Sequence, residues 1–520
     1  MPRRSRAIAR RLAVVLAGLL TLAPGALAGE RGALPLGPKG LEETRSTRVL
    51  AGGVTATRID RGRASAQDAF TVDVAFLPTR AQAEALAGRL GRDGYAARVE
   101  RVAQRAPDDP EPGPLGYLVR TGSFAVEAEA IALRDRLTAG GYAGPRVVFT
   151  GEDGGRTTGP WVVHLLEIDP RAFPGTVFPA LGSGIVPGRE PLTGIATRTG
   201  ALAAVTGGYF VIGAANGTDG DLAGVSVIDG GLVSEAVDGR TSLVLPDRSG
   251  EGAFVSALAT RQAVVAADGA TREVDGLNRA PGLVRGCGGS GGDQPTEAPK
   301  HDFTCTDASE LILFTPAFGA TTEPGAGVEV ALDAAGLVNA VRAARGGAIA
   351  TGGRVLSGTG EGAGWLRSHA AVGQRLTVSL GLEAEGGELA LGGGLGIVNG
   401  GPRLLRSGRP AVTAFAEGFH WPESPEFFHR FGLRRNPRTL AGVTADGRLL
   451  LVVVDGRRPG FSVGASFAES ARILRALGAR DGVNLDGGGS SALTIGSELV
   501  NRPSDATGER PLGDALVLAP

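Results

Sequence analysis

The chain has 520 residues, 85 of them glycine, with aromatics at 5 % and 53 basic against 54 acidic side chains. That length implies two to four domains with ample core, and so much glycine without a collagen period favours strands and turns over a helical bundle. The cancelled charge leaves no whole-chain field that would draw in nucleic acid or a charged membrane.

In chain order, Arg3, Arg4, Arg6, Arg10 and Arg11 precede an apolar run from Leu12 to Ala23, and Ala26-Leu27-Ala28 follows. This is the pattern of a secretory signal peptide over residues 1–28, with a run too short for a transmembrane helix. The pair Arg10-Arg11 also fits twin-arginine export. The mature chain is expected to be secreted, extracellular or cell-wall associated, with no transmembrane anchor once the signal is cleaved. Residues 29–68 are polar, lack periodicity and read as a linker.

An internal repeat follows. Phe70-Thr-Val-Asp-Val-Ala-Phe76, the helical pattern Ala81 to Leu90 and Gly94-Tyr95 recur as Tyr117 to Phe124, Ala128 to Leu137 and Gly141-Tyr142. Leu86 and Leu90, like Leu133 and Leu137, fall four apart on one helical face. Each copy closes with a strand, Ala97 to Val102 and Arg146 to Thr150, so residues 69–150 predict a ferredoxin-like βαββαβ domain. With Tyr117-Leu-Val-Arg-Thr-Gly-Ser-Phe124 and its Ala/Glu-rich helix, this segment resembles the SPOR (sporulation-related repeat) family. That resemblance implies peptidoglycan glycan strands as a partner, bound on the face of the sheet.

Residues 160–520 read as one large β-rich, mixed α/β domain, making the whole chain α+β. It starts at Trp161-Val-Val-His-Leu-Leu-Glu-Ile168 and soon reaches Thr206-Gly207-Gly208-Tyr209-Phe210. The two cysteines, Cys287 and Cys305, lie in a stretch from Gly286 to Asp307 that is poor in apolar residues and reads as an exposed insertion. In an exported chain a disulfide is the default for them, worth about 3 kcal/mol for a loop of this size. A metal site there would have to enlist His301 and Asp302. Glu417, His420, Trp421, Phe427 and His429 form the most aromatic segment, fit either for a lid beside a sugar site or for packing under a loop; neither histidine has a partner that the sequence identifies.

Near the C-terminus, Asn436-Pro437-Arg438-Thr439 precedes the strand Leu449 to Val454, which ends at Asp455-Gly456-Arg457. Ser466-Phe-Ala-Glu469 is a capping box opening a helix that Gly478 stops. Then comes Gly482-Val-Asn484-Leu-Asp486-Gly487-Gly488-Gly489-Ser490-Ser491. Strand alternation puts Asn484 and Asp486 on one side and Val483 and Leu485 on the core side. The three glycines allow close approach to a ligand, and their N–H groups could form a nest for anionic oxygens. Asp455 and Asp486 each follow a strand, and a crossover through the helix would carry both to one sheet edge.

Gly207-Gly208-Tyr209-Phe210, Asn436-Pro-Arg438-Thr439, Asp455-Gly-Arg457, Asn484-Leu-Asp486-Gly-Gly-Gly-Ser490 and Arg502-Pro503-Ser504-Asp505 together resemble the phosphodiester glycosidase family. One departure is Thr206, where the family usually has asparagine. The resemblance implies cleavage of a sugar C1–O bond with a phosphate monoester leaving, so little general acid is needed. Arg438 and Arg457 suit the phosphate, since guanidinium pairs with it bidentately. Asp486 and Asp455 are the candidates for nucleophile or water-activating base, and Asn484 for a sugar hydroxyl or amide. Gly207, Gly208, Tyr209, Thr439, Gly487, Gly488, Gly489, Ser490 and Ser491 complete the expected substrate-binding set. No cofactor is required, although carboxylate oxygens would suit calcium. The expected function is release of an N-acetylglucosamine-like sugar from a carbohydrate phosphodiester by an exported, peptidoglycan-tethered hydrolase. The alternative is a wall-glycan-binding protein that has lost catalysis.

Overall fold

The computed structural model describes residues 32–288 and 298–520; the signal segment lies outside the described residues. Among the described residues no helix is long and apolar enough to cross a membrane. The molecule is built on an antiparallel eight-stranded sheet in the order Glu43–Ala51, Val54–Arg61, Trp161–Ile168, Leu449–Val454, Arg438–Thr444, Ala479–Asn484, Arg403–Arg406, Arg409–Pro410. One face packs the helix Phe467–Ala476 around Leu440, Val452 and Val454. The other buries Ala441, Leu451, Val453, Val483 and Leu485 against a five-stranded sheet that includes Ala203–Thr206 and Asp514–Ala519. Two further sheets, of eight and five strands, continue the β-rich body over residues 226–399.

Within the expected linker 29–68, residues 43–61 are instead part of the central sheet. Glu43–Ala51 and Val54–Arg61 form a hairpin, and the second strand pairs along its length with Trp161–Ile168, from Val54 opposite Ile168 to Arg61 opposite Trp161. The sequence looks featureless because Glu43–Ala51 is an edge strand, largely exposed on both faces, so its place comes from backbone pairing rather than an apolar stripe. Only Val54 and Ile59 in the hairpin bury apolar side chains fully. Gly52-Gly53 at the turn was the local signal, with Gly53 at φ +76° where other residues strain.

Because Arg61 and Trp161 are neighbours, the intervening repeat is an insertion, held by the sheet at both ends. It folds as expected into a four-stranded antiparallel sheet, ordered Ala97–Val102, Gly116–Phe124, Phe70–Leu77, Arg146–Phe149. Two helices cover one face around Val72, Leu90, Val119, Leu133 and Leu137. The opposite face docks on the larger domain. Arg120 pairs with Asp73 at 2.6 Å and with Asp153, which also holds Arg434. Phe76 lies 5.3 Å from the ring of His429. In the Gln104–Gly113 loop, Asp108 accepts the N–H groups of Phe415 and Ala416, and Asp109 meets His420 at 3.0 Å. The aromatic segment with its two unassigned histidines is thus, in good part, a domain interface.

The capping box forms, with Ser466 accepting the Glu469 N–H and Glu469 accepting that of Ser466. Leu449–Val454 and Ala479–Asn484 flank Arg438–Thr444, each antiparallel to it and so parallel to one another. Their C-terminal ends, carrying Asp455 and Asp486, reach the same edge.

Candidate functional site

The two aspartates at that edge point to opposite faces. Arg438 pairs with Val454 and Leu440 with Asn484, which puts Arg438 and Asn484 on the helix-covered face. Thr439 pairs with Val453, and Val453 with His164, on the sheet-covered face. Asp455, one residue beyond Val454, falls on the second face by alternation. There it accepts from His164 at 3.1 Å, from Asn501 at 3.1 Å and from the Arg502 N–H at 2.9 Å, fully buried. Asp455 is therefore saturated on the sheet-covered face, opposite the face that carries Asn484, and Thr439 is buried on that same sheet-covered face. The sequence places both at the right edge; the face depends on register, which no local pattern supplies.

Around Asp486 the residues come from several segments. Tyr209 is buried, its hydroxyl donating to the Gly401 carbonyl at 2.7 Å and accepting from Asn484 Nδ2 at 2.7 Å. Asn484 also donates to the carbonyls of Gly401 and Leu485, so its amide nitrogen holds the tyrosine and the chain rather than a sugar, while its Oδ1 is buried without a partner. Thr206 is not a gap in the motif: its hydroxyl donates to the Ser490 carbonyl at 2.5 Å and accepts from the Ala492 N–H at 3.0 Å, pinning the end of the glycine turn.

The turn is closed, not an open nest. Gly487 donates to Asp486 Oδ1, Gly488 to the Pro437 carbonyl, and Ser490 and Ser491 back to Gly487 and Gly488. Gly488 has φ +61°, and a Cβ on Gly489 would lie 2.0 Å from Asp505, which pairs there with Arg510. These glycines serve the tight turn and the close approach of that ion pair, and Arg510 reaches the Ser490 hydroxyl at 3.3 Å. The Ser491 hydroxyl is buried without a partner. Gly207 and Gly208 both donate to Asp514, through its carbonyl and carboxylate, and a Cβ on either would collide with Asp514 or Asn399.

Asp514, which no motif flags, is the second carboxylate here. It is buried, its Oδ1 accepts from Gly208 at 2.8 Å, and its Oδ2 has no partner. Burial and the neighbouring Asp486 push it up to about 7. Asp486 keeps part of its surface open, and desolvation by the surrounding protein raises it to about 6, against the pull of Ser490 and the Gly487 N–H. The only conspicuous signal for Asp514 is a lone acid opening the apolar strand Asp514–Ala519.

Two buried guanidiniums face Tyr209. Arg438 donates to the carbonyls of Ala465, at 2.9 Å, and Phe431, and sits 4.4 Å over the Phe467 ring. Arg240 lies 5.2 Å over the Phe419 ring, with Nε and Nη2 buried and unpartnered. Among the described residues neither has a carboxylate within ion-pair distance. Burial pushes Arg438 down to about 9, with help from Arg457, and Arg240 to about 10. Arg457, at φ +53°, donates to Asn436 Oδ1 at 2.8 Å, and its guanidinium stands beside Gly488.

The cysteines are bonded, with Cα atoms 5.5 Å apart, but the insertion they close is not merely exposed. It lays His301 on Tyr209 at 4.2 Å and on Phe419 at 4.4 Å. Burial and Arg240 hold His301 well below its ordinary value, so it is neutral. Among the described residues no three His, Cys, Asp or Glu side chains converge as a metal site.

A family model for phosphodiester glycosidases matches residues 326–519, and a SPOR model matches residues 66–148. No protein of the curated set matches the chain. Among solved structures, a protein of Burkholderia pseudomallei K96243 named as an exported protein is 38 % identical, with 94 % of this chain and 98 % of that one covered at a TM-score of 0.85. A hypothetical protein from Synechocystis is 20 % identical over 92 % and 76 %, with a TM-score of 0.53. The catalytic domain of zebrafish N-acetylglucosamine-1-phosphodiester α-N-acetylglucosaminidase is 16 % identical over 69 % and 78 %, with a TM-score of 0.35.

Proposed function

The chain belongs to the phosphodiester glycosidase family and carries a SPOR domain within its fold, and from that premise we propose that it is an exported hydrolase of sugar-1-phosphodiesters. One observation carries the reading: a partly open carboxylate, Asp486, and two buried arginines that lack a carboxylate partner, Arg240 and Arg438, all act on the buried hydroxyl of Tyr209. A buried guanidinium without a counter-ion is costly, and an anion held beside Tyr209 would complete both. A phosphodiester supplies that anion and places the sugar C1 next to it.

In this scheme Arg240 and Arg438 hold the phosphate. Asp486, raised to about 6, takes a proton from water as the water oxygen bonds to C1. The C1–O bond breaks with its electron pair going to the phosphate oxygen, whose charge the guanidiniums stabilise. Asp514, protonated up to about 7, keeps the adjoining space free of a second charge. Asn484 fixes the tyrosine wall. With one accessible carboxylate acting as base, the sugar leaves with inverted anomeric configuration. Export rests on the leader-like residues 1–28 and on the relative named for export; recruitment to the wall rests on the family of the SPOR domain alone, because the helix-free face of its sheet is largely docked on the larger domain.

The test is release of free sugar by the full mature chain from a panel including methyl N-acetylglucosamine-1-phosphodiester and UDP-N-acetylglucosamine, followed by NMR of the anomeric proton. Asp486→Asn should remove the activity, at least about a thousandfold. No release from any substrate would support the glycan-binding alternative.

A further inference from the structure

The two domains enclose a cavity of about 570 Å³. One wall is the SPOR strand Arg146–Phe149; the other carries Phe427, Arg430, Asn436 and Arg457. Its charges do not cancel locally. Asp73 has Arg120, Glu152 has Arg434 at 3.5 Å, and Asp302 has Arg285. Among the described residues, Arg146 and Arg430 form no ion pair, Arg457 donates only to the Asn436 amide oxygen while Glu152 and Asp505 act on it from further off, and Glu127 alone of the lining acids is without an ion pair. Burial and Arg146 hold the Arg430 guanidinium below its ordinary value, against the pull of Glu426, which forms no ion pair with it, so two like charges sit close together at the cleft.

Arg457 brings the cavity up to the glycine turn after Asp486: it borders the cavity and also stands 3.4 Å from where a Cβ on Gly488 would sit. Phe427 and Phe431 stack at 5.5 Å with their planes 10° apart; His301 is 4.9 Å from Phe431 and 4.2 Å from Tyr209. Trp421 extends the row, 4.4 Å from Phe427 and 8° from parallel. Aromatic faces in series, edged by planar cations, suit a chain that alternates sugar rings with anions. Docking has taken up the centre of the SPOR sheet through Arg120 and Phe76, so the part left open, at Arg146, faces this cavity.

We propose that the interdomain cleft is a second binding site, which takes the anionic glycan extending from the phosphate side of the scissile bond, a chain of sugars joined by phosphodiesters. Arg146 from the SPOR domain and Arg430 and Arg457 from the other wall meet its phosphates, and the partly open edge of the Phe427 ring lies against a sugar. The proposal rests on the hydrolase reading of the Asp486 site. Both domains then grip one substrate molecule.

The experiment uses the full mature chain, the variants Arg146→Glu and Arg430→Glu, and three probes: a short oligomer of N-acetylglucosamine 1-phosphate repeats, the methyl diester, and a neutral β-1,4-linked N-acetylglucosamine oligomer. Each variant should raise KM for the charged oligomer about tenfold while kcat/KM for the methyl diester stays within about twofold. The neutral oligomer should not compete. Equal KM shifts for both charged substrates, no shift, or competition by the neutral oligomer would overturn the cleft. If the wild-type chain cleaves neither substrate, calorimetric titration of the charged oligomer separates the two readings. About tenfold weaker binding in both variants upholds the cleft while the hydrolase reading falls, and unchanged or absent binding overturns it.

Discussion

Arg240 is a cation with two buried N–H groups unpartnered, each worth about 1–3 kcal/mol in lost solvation. Replacing it with an apolar side chain of similar length should therefore stabilise the protein while weakening its substrate. Arg240→Met is expected to raise Tm and to raise KM at least about tenfold, and inorganic phosphate should raise the wild-type Tm but not that of the variant. Asp514 gives a pH signature. Its folded value, about 7, lies above the ordinary carboxylate range, so the folded state binds the extra proton between about pH 4 and pH 7. Stability from this group is complete below that window and is lost as pH rises through it. Thermal melts should show that decline, and Asp514→Asn should remove its upper part, leaving the decline below about pH 6 that belongs to Asp486. Asp486, Asn484 and Arg438 were legible because each sits on or just beyond a strand in a dense motif. Arg240, His301 and Asp514 were not, since each arrives from a separate segment through long-range packing and is preceded by no motif. The face of Asp455 was illegible for a third reason: position along a strand is readable, but the face depends on how Arg438 lines up with Val454.

The glycine turn is held by its neighbours more than by its glycines. Thr206 on the Ala203–Thr206 strand ties both the Ser490 carbonyl and the Ala492 N–H. Thr206→Val keeps the shape and removes both bonds, so a loss of about 1–3 kcal/mol in stability and a fall in kcat with Asp486 out of place are expected from melts and kinetics. The capping box and apolar face of Phe467–Ala476 were plain in sequence because helix signals are local. The Glu43–Arg61 hairpin was obscured because an edge strand carrying Arg, Thr and Asp has no buried face to announce it. The disulfide insertion looked detached for the same compositional reason, yet a single histidine from it closes over Tyr209.

At the scale of the whole molecule, the hairpin and the docked SPOR domain make the parts inseparable. A chain beginning at residue 160 would lose two strands of the central sheet and expose Phe428, His420 and the wall around Trp161. It is expected to aggregate, whereas the mature chain should unfold in one calorimetric transition, with Asp109→Ala lowering its midpoint by releasing His420 and Arg105. The insertion also has a geometric consequence. A domain on a flexible tether lets an enzyme sample every bond within a radius. A domain entered from Arg61 and left into Trp161, with Arg120, Asp153 and Arg434 locked between, has no such radius. With the proposed cleft it would work as a ruler: the span from the Arg146 wall to Asp486 is fixed, so a polymer gripped at one end would be cut at a set number of units away. Digests should then show a narrow ladder of product lengths, where a tethered enzyme would leave a smear.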